Sequence, residues 1–313
     1  AHLLAGNGYK TCLWLRDAAV AEAVRNGHEN PRYLPGFALH PSLDATTDPA
    51  AMGREIVVLA VPCQQLRGWL AANASFFRKN VVLVNAAKGI ETTNLATCAE
   101  VTEQSLGHLA PRYAALSGPS FAADVLRGLP TAVVLATLDE ALGHLLRQIF
   151  SGNSFRCYSS TDVMGVEMGG AVKNVMAIAA GVCDGLGLGH NSRAALITRG
   201  LAEMSRLGVA RGAQPHTFMG LSGLGDLTLT CTGDLSRNRQ VGLRLGRGEK
   251  LEHITTSLGM VAEGVKTTAA IHELARRLEV DAPLTDAVYS ILYEDSDPQE
   301  VLHNLMSRRL RDE

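Results

Sequence analysis

The sequence predicts a doubly wound α/β domain followed by an all-α domain. Two observations carry this. Up to about residue 158, short apolar runs such as Glu55 to Val61 and Thr131 to Ala136 lack strict period-two alternation and are separated by helical stretches. That is the pattern of a parallel sheet covered on both faces. After about Ser160, apolar residues recur at helical spacing to the end of the chain. A length of 313 residues favours two domains, here 1–160 and 161–313.

Taken in order, Tyr9 to Leu15 reads as a strand and Ala18 to Asn26 as a helix. Glu55 to Val61, bounded by Pro62, is predicted as a buried strand, and Asn80 to Val84 as another. Leu95 to Leu106 is helical. Strands at Tyr113 to Leu116 and Thr131 to Ala136 flank a helix near Phe121 to Leu126. Leu138 to Phe150 is helical, and Ser154 to Tyr158 closes the sheet. The second domain offers helices at 162–184, 192–211, 237–246, 264–279, 284–293 and 298–311. Asn191 or Ser192 can cap the second of these, and Ser236 the third.

Composition narrows the function. Hydrophobic residues make up 46% and the formal net charge is -2, so a nucleic-acid partner is not expected. The basic stretch Arg308-Arg309-Leu310-Arg311 reads as a solvated helix end. The longest apolar runs, Ile56 to Pro62 and Val175 to Cys183, are short for a bilayer, so no membrane insertion is expected. Six scattered cysteines without Cys-x-x-Cys point to reduced core thiols and a cytoplasmic location. No His-x-x-x-His pair suggests a metal site.

The residue that stands out is Lys173, in Gly169-Gly170-Ala171-Val172-Lys173-Asn174-Val175-Met176-Ala177. On a helix its neighbours three and four residues away are Gly169, Gly170, Met176 and Ala177, none of which can pair with an ammonium. A desolvated lysine has a lowered pKa and suits proton transfer; a snorkelling surface lysine is the other reading. Ser236-Arg237-Asn238-Arg239 supplies an anion site, with free helix amides, guanidinium forks and an amide; an ordinary capped helix with exposed arginines is the alternative. Gly223-Leu224-Gly225-Asp226 puts a carboxylate on a flexible turn, able to accept from substrate hydroxyls or to cap the next segment of chain.

Ligands of a parallel sheet bind beyond the carboxyl ends of its strands. Lys88-Gly89 follows one predicted strand there and Ser117-Gly118-Pro119-Ser120 another. Each can equally be an ordinary loop, with Pro119 starting a helix and Ser120 capping it. At the end of the first strand in the chain, Arg16 suits the 2′-phosphate of NADP, while Asp17 leaves NAD open. The Gly-x-Gly-x-x-Gly turn expected before such a strand is absent. Gly6-Asn7-Gly8, Gly185 to Gly189 and Gly223-Leu224-Gly225 all lie in the wrong context, and Ala1 to Ala5 reads as the tail of the helix that comes after such a loop. The first domain is therefore expected to lack its first strand and glycine loop, either in a partial sequence or in a product that folds poorly.

These pieces together resemble the bacterial NAD(P)-dependent glycerol-3-phosphate dehydrogenases along nearly the whole chain. The resemblance rests on Leu13-Trp14-Leu15-Arg16-Asp17, Tyr33-Leu34-Pro35-Gly36, Ala87-Lys88-Gly89-Ile90-Glu91 and Ser117-Gly118-Pro119-Ser120-Phe121-Ala122. The second half adds the Lys173 segment, Thr198-Arg199-Gly200-Leu201-Ala202-Glu203-Met204, Gly223-Leu224-Gly225-Asp226-Leu227, Thr230-Cys231-Thr232 and Ser236-Arg237-Asn238-Arg239. It implies a Rossmann-like N-terminal domain, an all-helical C-terminal domain and an active site between them. It implies Lys173 as the catalytic acid–base. Substrate contacts would come from Lys88, Gly118, Ser120, Lys173, Asp226, Ser236, Arg237 and Asn238. Cofactor contacts would come from Arg16, Lys88, Ala122, Arg237, Val261 and Glu263, with NADP or NAD as cofactor. The implied reaction reduces dihydroxyacetone phosphate to sn-glycerol 3-phosphate for phospholipid synthesis, in a cytoplasmic homodimer. Other readings are a related two-domain hydroxy-acid dehydrogenase and a non-catalytic glycerol-phosphate-binding remnant.

Overall fold

A computed structural model describes residues 1–258 and 262–307. The chain divides into two compact units. One comprises residues 1–61, 65–86 and 99–163; the other comprises 62–64, 87–98 and 164–313. The segment 87–98, which sequence places in the first domain, therefore clusters with the helical unit.

The first unit opens with α1 (His2–Gly6), closed by hydrogen bonds from the Gly8 amide to Ala5 O and from the Tyr9 amide to Leu4 O, a Schellman end. There follow β1 (Cys12–Trp14), α2 (Ala18–Gly27), the hairpin β2 (Glu29–Asn30) and β3 (Leu34–Ala38), and β4 (Asp44–Thr46), which pairs in parallel with β1. A separate five-stranded sheet has the order β5 (Ile56–Leu59), β6 (Val82–Asn85), β7 (Arg112–Ser117), β8 (Thr131–Ala136), β9 (Phe155–Ser160). Between these strands run α3 (Cys63–Asn73), α4 (Cys98–Leu106), α5 (Ala122–Leu126) and α6 (Glu140–Phe150). Val82, Val84, Ala114, Val133 and Leu135 of the sheet pack against Leu142, Leu146 and Phe150 of α6.

Two expectations need correction. The sheet is not all parallel: β7 and β8 are antiparallel, Leu116 opposite Leu135. A parallel return needs a crossover of about a dozen residues or more, usually built on a longer helix. The connection 118–130 holds only the short α5 and does not return along β7, so β8 runs antiparallel with Ser117 opposite Val134. Nor is the Glu55 to Val61 strand buried. Among the described residues β5 pairs with β6 alone, and Val58 is 39% exposed.

The helical unit contains α7 (Val163–Gly185), α8 (Gly189–Ala210), α9 (Asp226–Thr232), α10 (Arg237–Gly246), α11 (Leu251–Leu258), α12 (Glu263–Arg277), α13 (Pro283–Tyr293) and α14 (Pro298–Met306). Sequence reading missed α9 and α11. The expected extension of the last helix to 311, with its arginines, lies outside the described residues. The start of α8 is also corrected. It begins at Gly189 without a side-chain cap, and the Ser192 hydroxyl donates to Leu188 O instead.

The centre of this unit is α7. Every residue from Gly165 to Cys183 is buried, enclosed by Met204, Leu207, Phe218, Leu227, Val241 and Ile271 of surrounding segments. By length and composition α7 could cross a membrane, contrary to the reading of shorter apolar runs, yet it lies wholly inside the protein. Small residues on α7 let neighbours approach closely. A Cβ at Gly169 would meet Ser222 O at 2.5 Å, and one at Gly181 would meet Arg239 O at 2.1 Å. These contacts bring two further chain segments against the helix that carries Lys173.

Candidate active site

The site begins where α7 meets α9. Leu221–Gly225 forms one π-helical turn that runs directly into α9. Gly169 packs on Ser222, and one helical turn further along each segment stand Lys173 and Asp226. Asp226 is thus the first residue of a helix and only 1% exposed, not a carboxylate on a flexible turn. Its Oδ1 accepts from Lys173 Nζ at 2.5 Å, and its Oδ2 accepts from Lys88 Nζ at 2.5 Å. Lys173 Nζ also donates to Thr230 Oγ1 at 2.9 Å, while the Thr230 hydroxyl donates to the Asp226 carbonyl at 2.6 Å.

Lys173 is 6% exposed. Its position on the helix leaves it without a partner along α7, as the sequence suggests. The carboxylate it does meet, Asp226, comes from another helix, which the pattern along α7 does not reveal. Even so, its pKa falls to about 7, chiefly through burial and then through repulsion by the Lys88 ammonium, against the pull of Asp226. Burial works to raise the pKa of Asp226, but Lys88 and then Lys173 outweigh it and hold the carboxyl below its usual range. Burial is the largest influence on both groups, and the Lys88 ammonium then lowers both pKa values, by repelling the charge on Lys173 and stabilising the charge on Asp226.

A second edge of the site is formed by α10 and α12. Ser236 caps α10, its hydroxyl oxygen accepting from the Arg239 amide at 3.3 Å. Asn238 Oδ1 accepts from the Gly264 amide at 3.0 Å, which leaves its NH2 group as the available donor. A Cβ at Gly264 would lie 2.7 Å from that same oxygen and 2.8 Å from Asn174 O, so Asn238 and the residue after Lys173 border one glycine. Glu263 accepts a backbone hydrogen bond from Cys63; burial raises its pKa, and Arg237, Lys88 and Lys173 oppose this. Lys88 precedes Gly89, whose φ of +142° is left-handed and whose Cβ would meet Thr267 Oγ1 at 3.1 Å and Cys63 Cβ at 3.2 Å.

The helical unit therefore brings together Lys88, Lys173, Asp226, Ser236, Asn238 and Glu263, with the Arg237 charge felt at Glu263. The remaining candidates belong to the first unit. Gly118 follows β7 with φ +135°, where a Cβ would stand 3.0 Å from Val133 Cα. Ser120 does not cap α5: its hydroxyl donates to Gly118 O, and Phe121 is the cap position. Ala122 begins α5, and Arg16 is exposed after β1. Asp17 caps α2 through the Ala19 and Val20 amides and pairs with Arg32 at 3.0 Å. Val261 lies outside the described residues. Arg239, read from sequence as part of the anion grip, is buried and ion-paired with Asp184 and Asp234. Thr230 and Gly264 were not singled out as site residues; the helical step from Asp226 to Thr230 was the available signal for the first. The thiol of Cys231, beside this cluster, is pushed up to about 12 by burial and is no nucleophile.

The family described as "NAD-dependent glycerol-3-phosphate dehydrogenase C-terminus" matches residues 162–303, and the corresponding "N-terminus" family matches residues 1–143. The chain is 76% identical over 312 residues to the glycerol-3-phosphate dehydrogenase [NAD(P)+] of Desulfovibrio desulfuricans, covering 100% of this chain and 94% of that protein. It is 59% identical over 315 residues to that of Nitratidesulfovibrio vulgaris strain DP4, covering 100% and 96%. Among solved structures, glycerol-3-phosphate dehydrogenase from Coxiella burnetii superimposes with a TM-score of 0.93 at 38% identity, over 98% of this chain and 94% of that one.

Proposed function

The chain belongs to the NAD-dependent glycerol-3-phosphate dehydrogenase family, and on that premise we propose how its own residues serve the reaction. It is an NAD(P)-dependent glycerol-3-phosphate dehydrogenase, an oxidoreductase with a Rossmann-like first domain and a helical second one. The reaction is the reversible reduction of dihydroxyacetone phosphate to sn-glycerol 3-phosphate, a precursor of phospholipids. The nicotinamide cofactor, when bound, supplies or takes the hydride at C2.

Lys173 is the acid–base. As hydride reaches C2 the carbonyl oxygen gains negative charge; the Lys173 ammonium stabilises that charge and supplies the proton, and in reverse the neutral amine removes it. The observation that carries this assignment is geometric: a buried lysine amine held by Asp226 and Thr230; burial lowers its pKa to about 7, so both protonation forms are available. Asp226 and Thr230 hold the amine in place, and Lys88 adds a second positive charge near the developing oxyanion. Ser236, Arg237 and Asn238 hold the phosphate end, which is remote from the reacting carbon and so can orient the substrate without taking part in bond making. Gly118 and Ser120 complete the substrate contacts. The chemistry of the remaining groups fits a dinucleotide: an exposed Arg16 guanidinium at a strand end, the Lys88-Gly89 turn, the Glu263 carboxylate and Arg237. With Ala122 and Val261 they would hold it. The proposal extends to a cytoplasmic homodimer with no nucleic-acid partner and no membrane insertion.

Lys173→Met tests the central role. We expect kcat to fall by about 10²- to 10⁴-fold with folding retained by circular dichroism. Normal turnover in that variant would end the assignment.

A further inference from the structure

α7 and α10 meet without intervening side chains. A Cβ at Gly242 would lie 1.9 Å from Ile178 O and 2.8 Å from Val182 N; one at Gly246 would lie 2.5 Å from Val182 O. Gly181 and Gly185 make the reciprocal approaches to Arg239 O and Leu243 O, at 2.1 and 2.4 Å. Later residues of α7 thus meet later residues of α10, so the helices run parallel and in step. Their macrodipoles are then side by side with the same sense, an arrangement that repels. Smooth glycine surfaces set the spacing between axes, yet offer few protrusions to resist sliding along them. Beyond the packing of Val241 and Leu245 in the core they share with α7, a polar contact between the two helices can fix the axial position of the Ser236-Arg237-Asn238 turn relative to Lys173.

Arg239 and Asp184 make such a contact. Arg239 Nε and Nη2 both reach Asp184 Oδ2, at 2.8 and 2.7 Å, and Nη1 reaches Asp234 Oδ1 at 2.9 Å. Asp184 Oδ1 is held in turn by Arg193 Nη1 at 3.0 Å. The guanidinium therefore ties the residue before the turn to the far end of α7, while its own backbone amide receives the Ser236 cap. Arg239 and Asp184 are nearly shielded from water, with side-chain exposures of 11% and 12%, so their pairing is screened far less than a surface bridge.

We propose that Asp184 and Arg239 are positioning residues that buckle the 234–239 turn to α7 and so set the span between the phosphate-holding groups and the Lys173 amine. This rests on the reading of Ser236, Arg237 and Asn238 as phosphate contacts. Neither residue touches substrate; each acts through Arg237 and Asn238. A displacement of a fraction of an ångström there would mismatch a rigid three-carbon ligand held at both ends.

The test is calorimetric binding of sn-glycerol 3-phosphate to the full chain and four variants, each with its melting temperature. Asp184→Asn should weaken binding about tenfold, and Arg239→Lys, which keeps the charge but not the fork, should weaken it less, about threefold. Arg193→Gln touches Asp184 without touching α10 and should stay within about twofold of the parent, even where its melting temperature falls. Arg237→Ala separates the two ideas. If Arg237→Ala binds like the parent, the phosphate reading itself fails. If Arg237→Ala weakens binding while Asp184→Asn and Arg239→Lys do not, the buckle is refuted. Equal weakening by Arg193→Gln would also refute it, because general loosening of the ion cluster would then account for the effect. Should Asp184→Asn not fold, Arg239→Lys against Arg193→Gln decides alone.

Discussion

Asp226→Asn removes one negative charge and almost no volume from a site that holds two ammonium groups. In the parent both Nζ atoms lie 2.5 Å from its carboxylate oxygens. A unit charge at about 4 Å contributes about 4 kcal/mol at an effective dielectric near 20, and a displacement of one pH unit needs only about 1.4 kcal/mol. The amide oxygen of asparagine and the Thr230 hydroxyl restore part of the loss, so a fall of at least about one pH unit in the titration of Lys173 is expected. Reduction uses the ammonium. Its rate therefore falls as pH rises through the Lys173 pKa, near 7 in the parent. In Asp226→Asn that decline must move to lower pH, and the rise of the reverse oxidation must move with it.

The assay is kcat/KM against pH in both directions, because kcat/KM reports ionisations of the free enzyme, the state in which these contacts are seen. Asp226 also faces substrate in the proposed scheme, so the absolute rate falls as well; the midpoint is the diagnostic quantity. Lys88→Met is the mirror experiment. Lys88 lowers the pKa of Lys173, and its removal should carry the same midpoint to higher pH. Displacements of equal sign in the two variants, or an unmoved midpoint in Asp226→Asn, would refute the idea that one carboxylate shared by two amines sets the ionisation of Lys173.

Gly242→Ala should lower the melting temperature sharply, since its Cβ would fall 1.9 Å from the Ile178 carbonyl and overpacking of this kind costs about 1–3 kcal/mol. Glu203→Ala should cost about 3 kcal/mol in urea unfolding, because the buried carboxylate accepts from the Leu284 and Thr285 amides at 2.9 Å and from the Thr285 hydroxyl at 2.6 Å; faster hydrogen exchange at those two amides checks the cause. Gly264→Ala should weaken sn-glycerol 3-phosphate binding by about tenfold, since the added methyl displaces Asn238 Oδ1, and titration calorimetry measures it.

Elements governed by near neighbours were legible in the sequence. Thr131–Ala136 and Arg237–Gly246 fall where the apolar pattern and the Ser236 cap place them. Elements governed by distant packing were not. The segment Asp226–Thr232 is rich in threonine, a poor helix former, and it is helical because Leu227 and Cys231 enter the core around α7. The antiparallel β8 depends on the path of the whole 118–130 connection, and helix ends are uncertain by several residues from sequence alone. The hairpin Glu29–Ala38 carries Pro35 and Gly36 inside a strand, residues that normally argue against one.

The site illustrates the same division more sharply. Along α7 the sequence shows a lysine with no acid within reach, and a low pKa follows from desolvation alone. The structure places an acid against that lysine, which by itself would hold the proton on and raise the pKa. A lowered pKa survives because burial of the amine, joined by repulsion from the Lys88 ammonium on the same acid, outweighs that pull. The desolvation of Lys173 can be read from its own helix; the sharing of Asp226 by two amines requires three segments of chain to meet. In the proposed scheme, a substrate oxygen that draws Lys88 away from Asp226 would return the carboxylate to Lys173 and strengthen its hold on the proton. Proton delivery in the reductive direction is then coupled to occupancy of the site. A Lys173 midpoint higher in kcat than in kcat/KM for the reduction would express that coupling, and identical midpoints would deny it.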